Sequence, residues 1–546
     1  MKTLAYRYFG LICIFAISLI PLFDLFHAGL PLTHDGQDHV GRIANFYQSF
    51  SEGNLVPRWA GNLNWGFGHP ILMFLYPLPS YFASLFHFLG FSFVDSLKIV
   101  FGFSFIASGL AMYLWIKEFL GEEAGIIAGV LYLFAPYRFV DLYVRGAIGE
   151  HVAFVFPPLV LYGLYKLSKK YSYWTFFLAS VSVAGLILSH NAISIMFLPF
   201  FVAYSIYLFF NTGNKKKFLY FSMFSLAFGI LLSSFFLLPA FFEGKYTLRD
   251  IVTSGEYFSR FVNPASLLYS PWNYGISGQF SVQIGLLQLG FVALCFVNIV
   301  KQQRKVNKLL FLILGFFAIS IFLMVKESGF IWTQFTTLQK FQFPWRFLTV
   351  TVFSTAVMAG LFTSTLNKRH KKYLIILVIL FAVLLNKDFF HAKGYLQKPE
   401  SFYTGIYPGT TDTGESSPIW SIRFMEEEAK ERVEVIGGKA EVQELKRDTA
   451  SRKYFIKVDS DTAKIKENTL YFPGWNVFVD GKKTTIEFQD QNNRGIITFP
   501  VSHGNHTVSI IFKDTNLRKF ANLISVSSLV LLIFLGIFFK IRKYEI

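Results

Sequence analysis

Twelve apolar runs divide most of this chain, and the loops between them carry lysine and arginine in an alternating pattern. A helix rises 1.5 Å per residue, so about 20 apolar residues cross ~30 Å of hydrocarbon. The runs lie at 9–27, 98–116, 122–138, 151–167, 173–189, 192–210, 218–238, 281–300, 309–325, 347–366, 373–388 and 519–539. Hydrophobic residues make up 53% of the 546. A soluble domain is nearer about 45–50% apolar and has no such series of runs. The expected fold class is therefore a polytopic α-helical membrane protein with about twelve transmembrane helices.

The basic clusters are Lys2/Arg7, Lys117, Lys166/Lys169/Lys170, Lys215–Lys217, Lys301/Arg304/Lys305/Lys308, Lys368/Arg369/Lys371/Lys372 and Lys540/Arg542/Lys543. Cytoplasmic loops hold the excess of such residues, so these clusters mark the cytoplasmic side. The run 71–93 is apolar enough to cross but contains Pro77, Pro79 and His87. If it crossed, every later cluster would fall outside. It reads instead as a juxtamembrane or re-entrant element, where protein or water satisfies the backbone. The expected localisation is integral to the plasma membrane, with both termini cytoplasmic and the first run a retained signal anchor.

The net charge of +17 is largely the sum of these cytoplasmic clusters. Its role is orientation against anionic lipid, and nucleic acid is not an expected partner. Cys13 and Cys295 both lie in apolar runs, which excludes a disulfide framework.

Three regions follow: a transmembrane domain over 1–388 with a first outer loop at 28–97, an extracytoplasmic domain over 389–516, and a final helix and cytoplasmic tail over 517–546. The second is polar, with short alternating runs at Arg432–Ile436, Lys453–Val458, Trp475–Val479, Thr484–Phe488 and Thr507–Phe512. Glycine and asparagine punctuate them, so the expectation is an antiparallel β domain, sandwich or jelly-roll-like.

The remaining loops hold ionisable residues close to apolar runs, on the face expected to be extracytoplasmic. Such placement is a functional-site signal. The first outer loop opens Thr33-His34-Asp35-Gly36-Gln37-Asp38-His39-Val40-Gly41-Arg42. A carboxylate there can serve as a general base or hold a divalent cation, and a polar helix cap is the plain alternative. The second outer loop contains Arg145-Gly146-Ala147-Ile148-Gly149-Glu150. Glycine permits close backbone approach and arginine suits bidentate phosphate binding, whereas an Arg–Glu pair could simply lock the loop. Ser189-His190-Asn191 and Phe341-Gln342-Phe343-Pro344-Trp345-Arg346 end or begin helices on the same face. The 239–280 loop reads equally as a lid or as a packed surface loop. The sequon Asn505-His506-Thr507 lies in a turn region and reads as coincidence.

Taken together, the Asp35/Asp38/His39 loop, the 71–93 element, Arg145-Gly146…Glu150, Ser189-His190-Asn191 and Phe343-Pro344-Trp345-Arg346 resemble the C-type (GT-C) superfamily of membrane glycosyltransferases. Within it the chain is most similar to the 6-pyruvoyl-tetrahydropterin-synthase-related membrane proteins, a label that implies no pterin chemistry. Tyr471-Phe472-Pro473-Gly474-Trp475…Val479-Asp480-Gly481-Lys482 is similar to the C-terminal β domain of membrane transferases that decorate lipoteichoic acid.

The resemblance implies an inverting transfer of sugar from a polyprenyl-phosphate donor to an extracytoplasmic glycan, lipid or protein. It makes Asp35 the base, with Asp38 second, and Arg145, Arg346 and His190 the donor-phosphate ligands. Glu150, His39 and Asn191 would orient. Superfamily members differ in needing a divalent metal; here Asp35, Asp38 and His39 would be the ligands. The compact Asp-Glu pair of many members is missing from the first loop.

Two other readings remain: a polytopic transporter or flippase, and a non-catalytic assembly factor for envelope glycans. Transporters carry repeat-related halves and midplane polar sites. This chain shows no internal repeat and keeps its notable polar residues at one face.

Overall fold

The computed structural model describes residues 2–275, 279–302 and 308–542. Arg304, Lys305 and Lys543, members of the basic clusters, lie outside the described residues. All twelve apolar runs carry helix. Six helices are long and apolar enough to cross a membrane: Tyr8–Phe26, Phe93–Leu120, Ile148–Lys169, Asn191–Asn211, Pro344–Ser364 and Asn516–Phe539. Three pairs qualify only together, bent by 50° at Glu122–Leu133/Pro136–Arg145, 72° at Lys215–Leu232/Ser234–Phe242 and 90° at Lys308–Met324/Lys326–Gln334.

Six to nine spans therefore stand on length and composition among the described residues, against the expected twelve. Length and charge explain the gap. Tyr173–Ser189 has 17 residues, and Lys368–Asn386 begins Lys-Arg-His-Lys-Lys. Inside 71–93, the one regular α-helix, Leu78–Phe88, has 11 residues. At 1.5 Å per residue it is about 16 Å long, half the hydrocarbon thickness. Prolines sit in its first turn, where a missing N–H costs nothing.

Two short strands, β1 (Leu30–Pro31) and β2 (Tyr395–Leu396), pair antiparallel and tie the first outer loop to the chain beyond residue 388. The other strands are β3 (Val433–Gly437), β4 (Ala440–Arg447), β5 (Ser451–Leu470), β6 (Trp475–Val479), β7 (Lys482–Thr484) and β8 (Ile496–Phe512). They form one six-stranded sheet in the order β3-β5-β8-β6-β7, with β4 also on β5, and every pairing is antiparallel.

This corrects the expected sandwich or jelly roll. Two long strands, β5 and β8 (20 and 17 residues), run in register past bulges and carry the shorter ones. The strand expected at Thr484–Phe488 stops at Thr484, and Glu487 makes only an isolated bridge to Thr498. Strand β4 was not foreseen, because its charged residues alternate weakly on an exposed edge. Residues 389–432 form no sheet beyond β2; they run back over the first outer loop.

The sheet seats on that loop through Trp59, which is 1% exposed. Its ring meets Trp475 edge-on at 5.4 Å and Phe512 at 5.5 Å. A polar clasp adjoins it. The Arg518 guanidinium, fully buried, donates to Glu243 Oε2 (2.7 Å) and to the Pro473 carbonyl (2.6 Å). Arg58 Nε pairs with Asp514 at 2.9 Å. Removing a buried aromatic costs about 3–5 kcal/mol. Trp59→Ala should therefore lower the unfolding temperature in detergent and speed proteolysis around residues 470–515. An unchanged melting curve would show that the sheet is held elsewhere.

Candidate functional site

The site begins with a buried charge cluster on the bent span Glu122–Leu133/Pro136–Arg145. Val140–Arg145 is wound as a π-helical turn, a form that often marks functional sites. It ends at Gly146, φ +67°, where a Cβ would lie 2.3 Å from Thr33 Oγ1. Arg145 Nη1 donates to Asp141 Oδ1 (2.6 Å), Glu150 Oε2 (2.8 Å) and Tyr137 Oη (3.0 Å). Glu150 Oε1 accepts from Tyr137 (2.6 Å) and from Thr349 (2.8 Å), and Arg346 Nε stands 4.0 Å from Oε2. Arg145 and Arg346 thus converge on one carboxylate.

The two arginines differ. Arg145 is bound into the cluster at its Nη1, the Arg–Glu lock that the loop sequence left open. Arg346 donates Nη1 to the Phe341 carbonyl (2.8 Å) and lies over the Phe343 ring at 4.8 Å. Its Nε is buried without a hydrogen-bond acceptor. Such a donor is costly to leave unmet, so Arg346 has capacity for an anion.

His190 caps the Asn191–Asn211 helix, its Nδ1 accepting from the Ile193 N–H at 3.4 Å. That role leaves Nε2 to carry the proton of the neutral ring. Its face stacks on Tyr76 at 4.9 Å. Tyr76 in turn fits only because residue 149 is glycine, where a Cβ would sit 2.0 Å from Tyr76 Cζ. The Tyr76 hydroxyl feels Arg42, Arg346, Asp35 and Glu150 electrostatically, so the outer loop and the buried cluster share one locus. Asn191 makes a local contact instead, its Oδ1 accepting from the Ala192 N–H at 3.1 Å.

The first outer loop is strapped to the Arg145 turn by its backbone. His34 N–H donates to the Val144 carbonyl and Asp35 N–H to the Arg145 carbonyl, both at 2.9 Å. Asp35 then heads the Gly36–Ser51 helix with its carboxylate exposed, and among the described residues no hydrogen bond holds it. Asp38, one turn on, is more enclosed. Its Oδ1 accepts from the Tyr407 hydroxyl at 2.6 Å, and that hydroxyl accepts from Gln37 Nε2 at 3.2 Å. Burial pushes the Asp38 carboxyl up from its ordinary value, against the opposing pull of Tyr407 and Arg42.

His39 is buried with Nδ1 facing Arg42 Nη1 at 3.0 Å. Burial and two neighbouring arginines push its pKa well down, so it stays neutral. Asp35, Asp38 and His39 are not gathered as a metal set: Tyr407 holds one Asp38 oxygen and Arg42 faces His39 Nδ1. Among the described residues no three His, Cys, Asp or Glu side chains come together as a metal set.

Several participants had no role in the sequence reading. Arg42 donates to Thr411 Oγ1 (3.2 Å) and to the Thr411 carbonyl, holding that threonine at φ +65°. A β-branched residue there is strained, as backbone at functional sites often is. Glu415 receives Gln342 Nε2 at 3.4 Å, and burial, then Asp412, raises its pKa while Arg346 opposes. Asp141 and Arg145 were readable as an i,i+4 pair. Tyr407, Thr411 and Glu415 had no such signal, since they lie more than 360 residues from Asp38. Of the 239–280 loop, Phe280 packs on Trp345 at 5.3 Å and lies 6.0 Å from the Arg145 guanidinium, while Trp272 stacks away on Phe389.

Fold and site together define a polytopic helical membrane protein with a C-terminal sheet and a charged cluster at one set of helix ends. The chain belongs to the 6-pyruvoyl-tetrahydropterin synthase related family of membrane proteins, which it matches over residues 72–392. An uncharacterized protein of Lactococcus lactis subsp. cremoris is 25% identical over 331 residues, 58% of this chain and 54% of that protein. The chain therefore spans about half the length of this relative. Among solved structures, arabinofuranosyltransferase AftD from Mycobacteria aligns with TM-score 0.46 and 16% identity, over 71% of this chain and 28% of that one. The Archaeoglobus fulgidus oligosaccharyltransferase gives 0.44 and 12%, over 76% and 61%. ArnT from Cupriavidus metallidurans, bound to undecaprenyl phosphate, gives 0.38 and 14%, over 73% and 68%.

The raised Asp38 pKa sets a pH dependence. The folded state binds this proton more tightly than the unfolded chain, so the stability it lends is present at low pH and lost as pH rises through the folded pKa. Asp38→Asn keeps an oxygen for Tyr407 and removes the titration. Its melting temperature relative to wild type should rise between pH 4 and pH 8. A constant difference across that range would contradict the burial of this carboxylate.

Proposed function

We propose that this protein is an inverting GT-C-type glycosyltransferase. It moves a sugar from a polyprenyl-phosphate donor to an extracytoplasmic glycan, lipid or protein acceptor. The membrane orientation read from the basic clusters, with the sheet domain outside, belongs to this proposal. So does the division of the chain, with residues 389–432 serving the site rather than the sheet. The observation that carries the reading is that a carboxylate without a hydrogen bond among the described residues and an under-bonded arginine are both tied to the Arg145–Glu150 cluster. Asp35 is strapped to the Arg145 turn, and Arg346 reaches the same cluster through Glu150.

In this reading Asp35 takes the proton from an acceptor hydroxyl as that oxygen attacks the anomeric carbon. The bond to the donor phosphate breaks on the opposite face, which inverts the centre. Negative charge grows on the departing phosphate, and the unsatisfied Arg346 donor meets it as a preorganised cation. Arg145 acts by fixing Glu150, which holds Arg346 in place. The His190 Nε2–H supplies a neutral donor to phosphate or sugar. Asp38, oriented by Tyr407 and Gln37, forms an acceptor-side shelf and is the alternative base. His39 supports Arg42 and thereby Thr411.

The test is transfer of radiolabelled sugar from a panel of polyprenyl-phosphate sugars in proteoliposomes. Loss of a positioned general base costs about 10²–10⁴-fold, so Asp35→Asn should abolish detectable turnover. Arg346→Lys keeps the charge but loses the planar fork, and should lower kcat more than it raises KM. Turnover surviving in Asp35→Asn but lost in Asp38→Asn would move the base to Asp38. Folded wild type inactive with every donor would defeat the transferase reading.

A further inference from the structure

A large cavity lies away from this site. Its volume is about 840 Å³, and it opens between the first outer loop, the chain at the start of β5 and the end of β8, and the Asn516–Arg542 helix. Ser49, near the end of the Gly36–Ser51 helix, lines it, whereas Asp35 and Asp38 sit at that helix's start. Along the helix Asp38 and Ser49 stand about 16 Å apart at 1.5 Å per residue.

The geometry points to a binding site for one anionic phospholipid of the surrounding bilayer. The cavity is graded along its long wall. Lys519, Asn522, Val526 and Leu529 all line it from the last helix. Their spacing of three and four residues places them on one face, polar at the start of the span and apolar further in. From Lys519 to Leu529 is about 15 Å, half of a ~30 Å hydrocarbon core, so the groove has the depth of one leaflet. Val526 and Leu529 are 58% and 50% exposed, so the apolar end continues onto the helix's lipid-facing side.

The polar end carries the matching charge. Arg58, 6% exposed, lies in the wall, held by Asp514 at 2.9 Å and Asn522 at 2.8 Å. That pair is neutral overall. Lys513 and Lys519 add two exposed cations at the mouth, with Lys513 resting over the Phe478 ring at 4.8 Å. A phosphate headgroup between the lysines, with a chain along Val526 and Leu529, satisfies both ends at once. A zwitterionic headgroup gains less, and a soluble anion leaves the apolar wall unfilled. The occupant would bridge sheet and span beside the Arg518–Glu243 clasp, fixing the sheet against the membrane part. This inference does not depend on the transfer reaction.

The experiment is native mass spectrometry of the full-length protein, delipidated in detergent and titrated with phosphatidylglycerol or phosphatidylcholine. Each lysine beside an anionic headgroup is worth roughly fivefold in affinity, so Lys513→Ala/Lys519→Ala should weaken phosphatidylglycerol binding on the order of twentyfold. Phosphatidylcholine binding should not change. Leu529→Trp, which fills the apolar end and leaves the charge, should also reduce bound phosphatidylglycerol. The site is overturned if phosphatidylcholine binds wild type as tightly as phosphatidylglycerol, or if the double variant keeps wild-type affinity. It is equally overturned if undecaprenyl phosphate displaces phosphatidylglycerol from wild type but not from the double variant, since the groove would then belong to an isoprenoid. Melting curves matching wild type show that both variants remain folded.

Discussion

Charges at the ends of membrane helices must be paired, and in this protein the Glu150 carboxylate is where the pairing happens. It accepts from Tyr137 and Thr349, bonds Arg145 at 2.8 Å and faces Arg346 at 4.0 Å. Those partners come from the bent span and the Pro344–Ser364 span, while Glu150 itself lies on the Ile148–Lys169 span. Stripping one partner from such a group leaves a buried charge uncompensated, at a cost of about 3–5 kcal/mol. The helices are therefore held in mutual register by electrostatics as well as by apolar packing, which alone discriminates poorly between helix and lipid. Arg138, on the same bent span, has no acidic partner within hydrogen-bond reach among the described residues; it donates Nη2 to Ser108 Oγ at 2.9 Å and lies over Phe154 at 3.9 Å and Phe105 at 5.1 Å.

From that cluster the order passes outward through backbone. The carbonyls of Val144 and Arg145 pin His34 and Asp35, and so set the start of the Gly36–Ser51 helix. The segment after the last apolar run then closes over it. Tyr407 bonds backbone to Asn62 and Trp65 and sends its hydroxyl to Asp38. Thr411 is held at positive φ by Arg42. The strain is local, and Arg42 enforces it from the Gly36–Ser51 helix. The sheet beyond is fixed to the same outer loop through Trp59 and to the last span through Arg518.

Much of this was legible in the sequence because its signals are local. Hydrophobic runs of membrane length identify helices wherever they occur, and all twelve proved helical. The parity of the basic clusters, with Pro77 and Pro79, marked 71–93 as something other than a span. Arg145, Glu150, His190 and Arg346 stood out as ionisable residues at helix ends, and the structure brings them together. Spans such as Glu122–Leu133/Pro136–Arg145 were harder, because a bend of 50° leaves no trace in hydrophobicity. The sheet was read as shorter strands than β5 and β8, since turn-forming residues such as Gly504 and Asn505 are here absorbed within a long paired strand.

By itself, then, the sequence determined that the chain lives in a membrane, where its helices run and which ionisable residues sit at their ends. These follow from composition and spacing along a single stretch of chain. Only the tertiary structure decided that Arg145 is bound up with Glu150 while Arg346 keeps a free donor, and that His39 turns Nδ1 to Arg42. It alone brought Tyr407 to Asp38 and opened a leaflet-deep groove beside the last helix. The last two join residues hundreds of positions apart, and such partner identity, unlike periodicity, leaves no local mark.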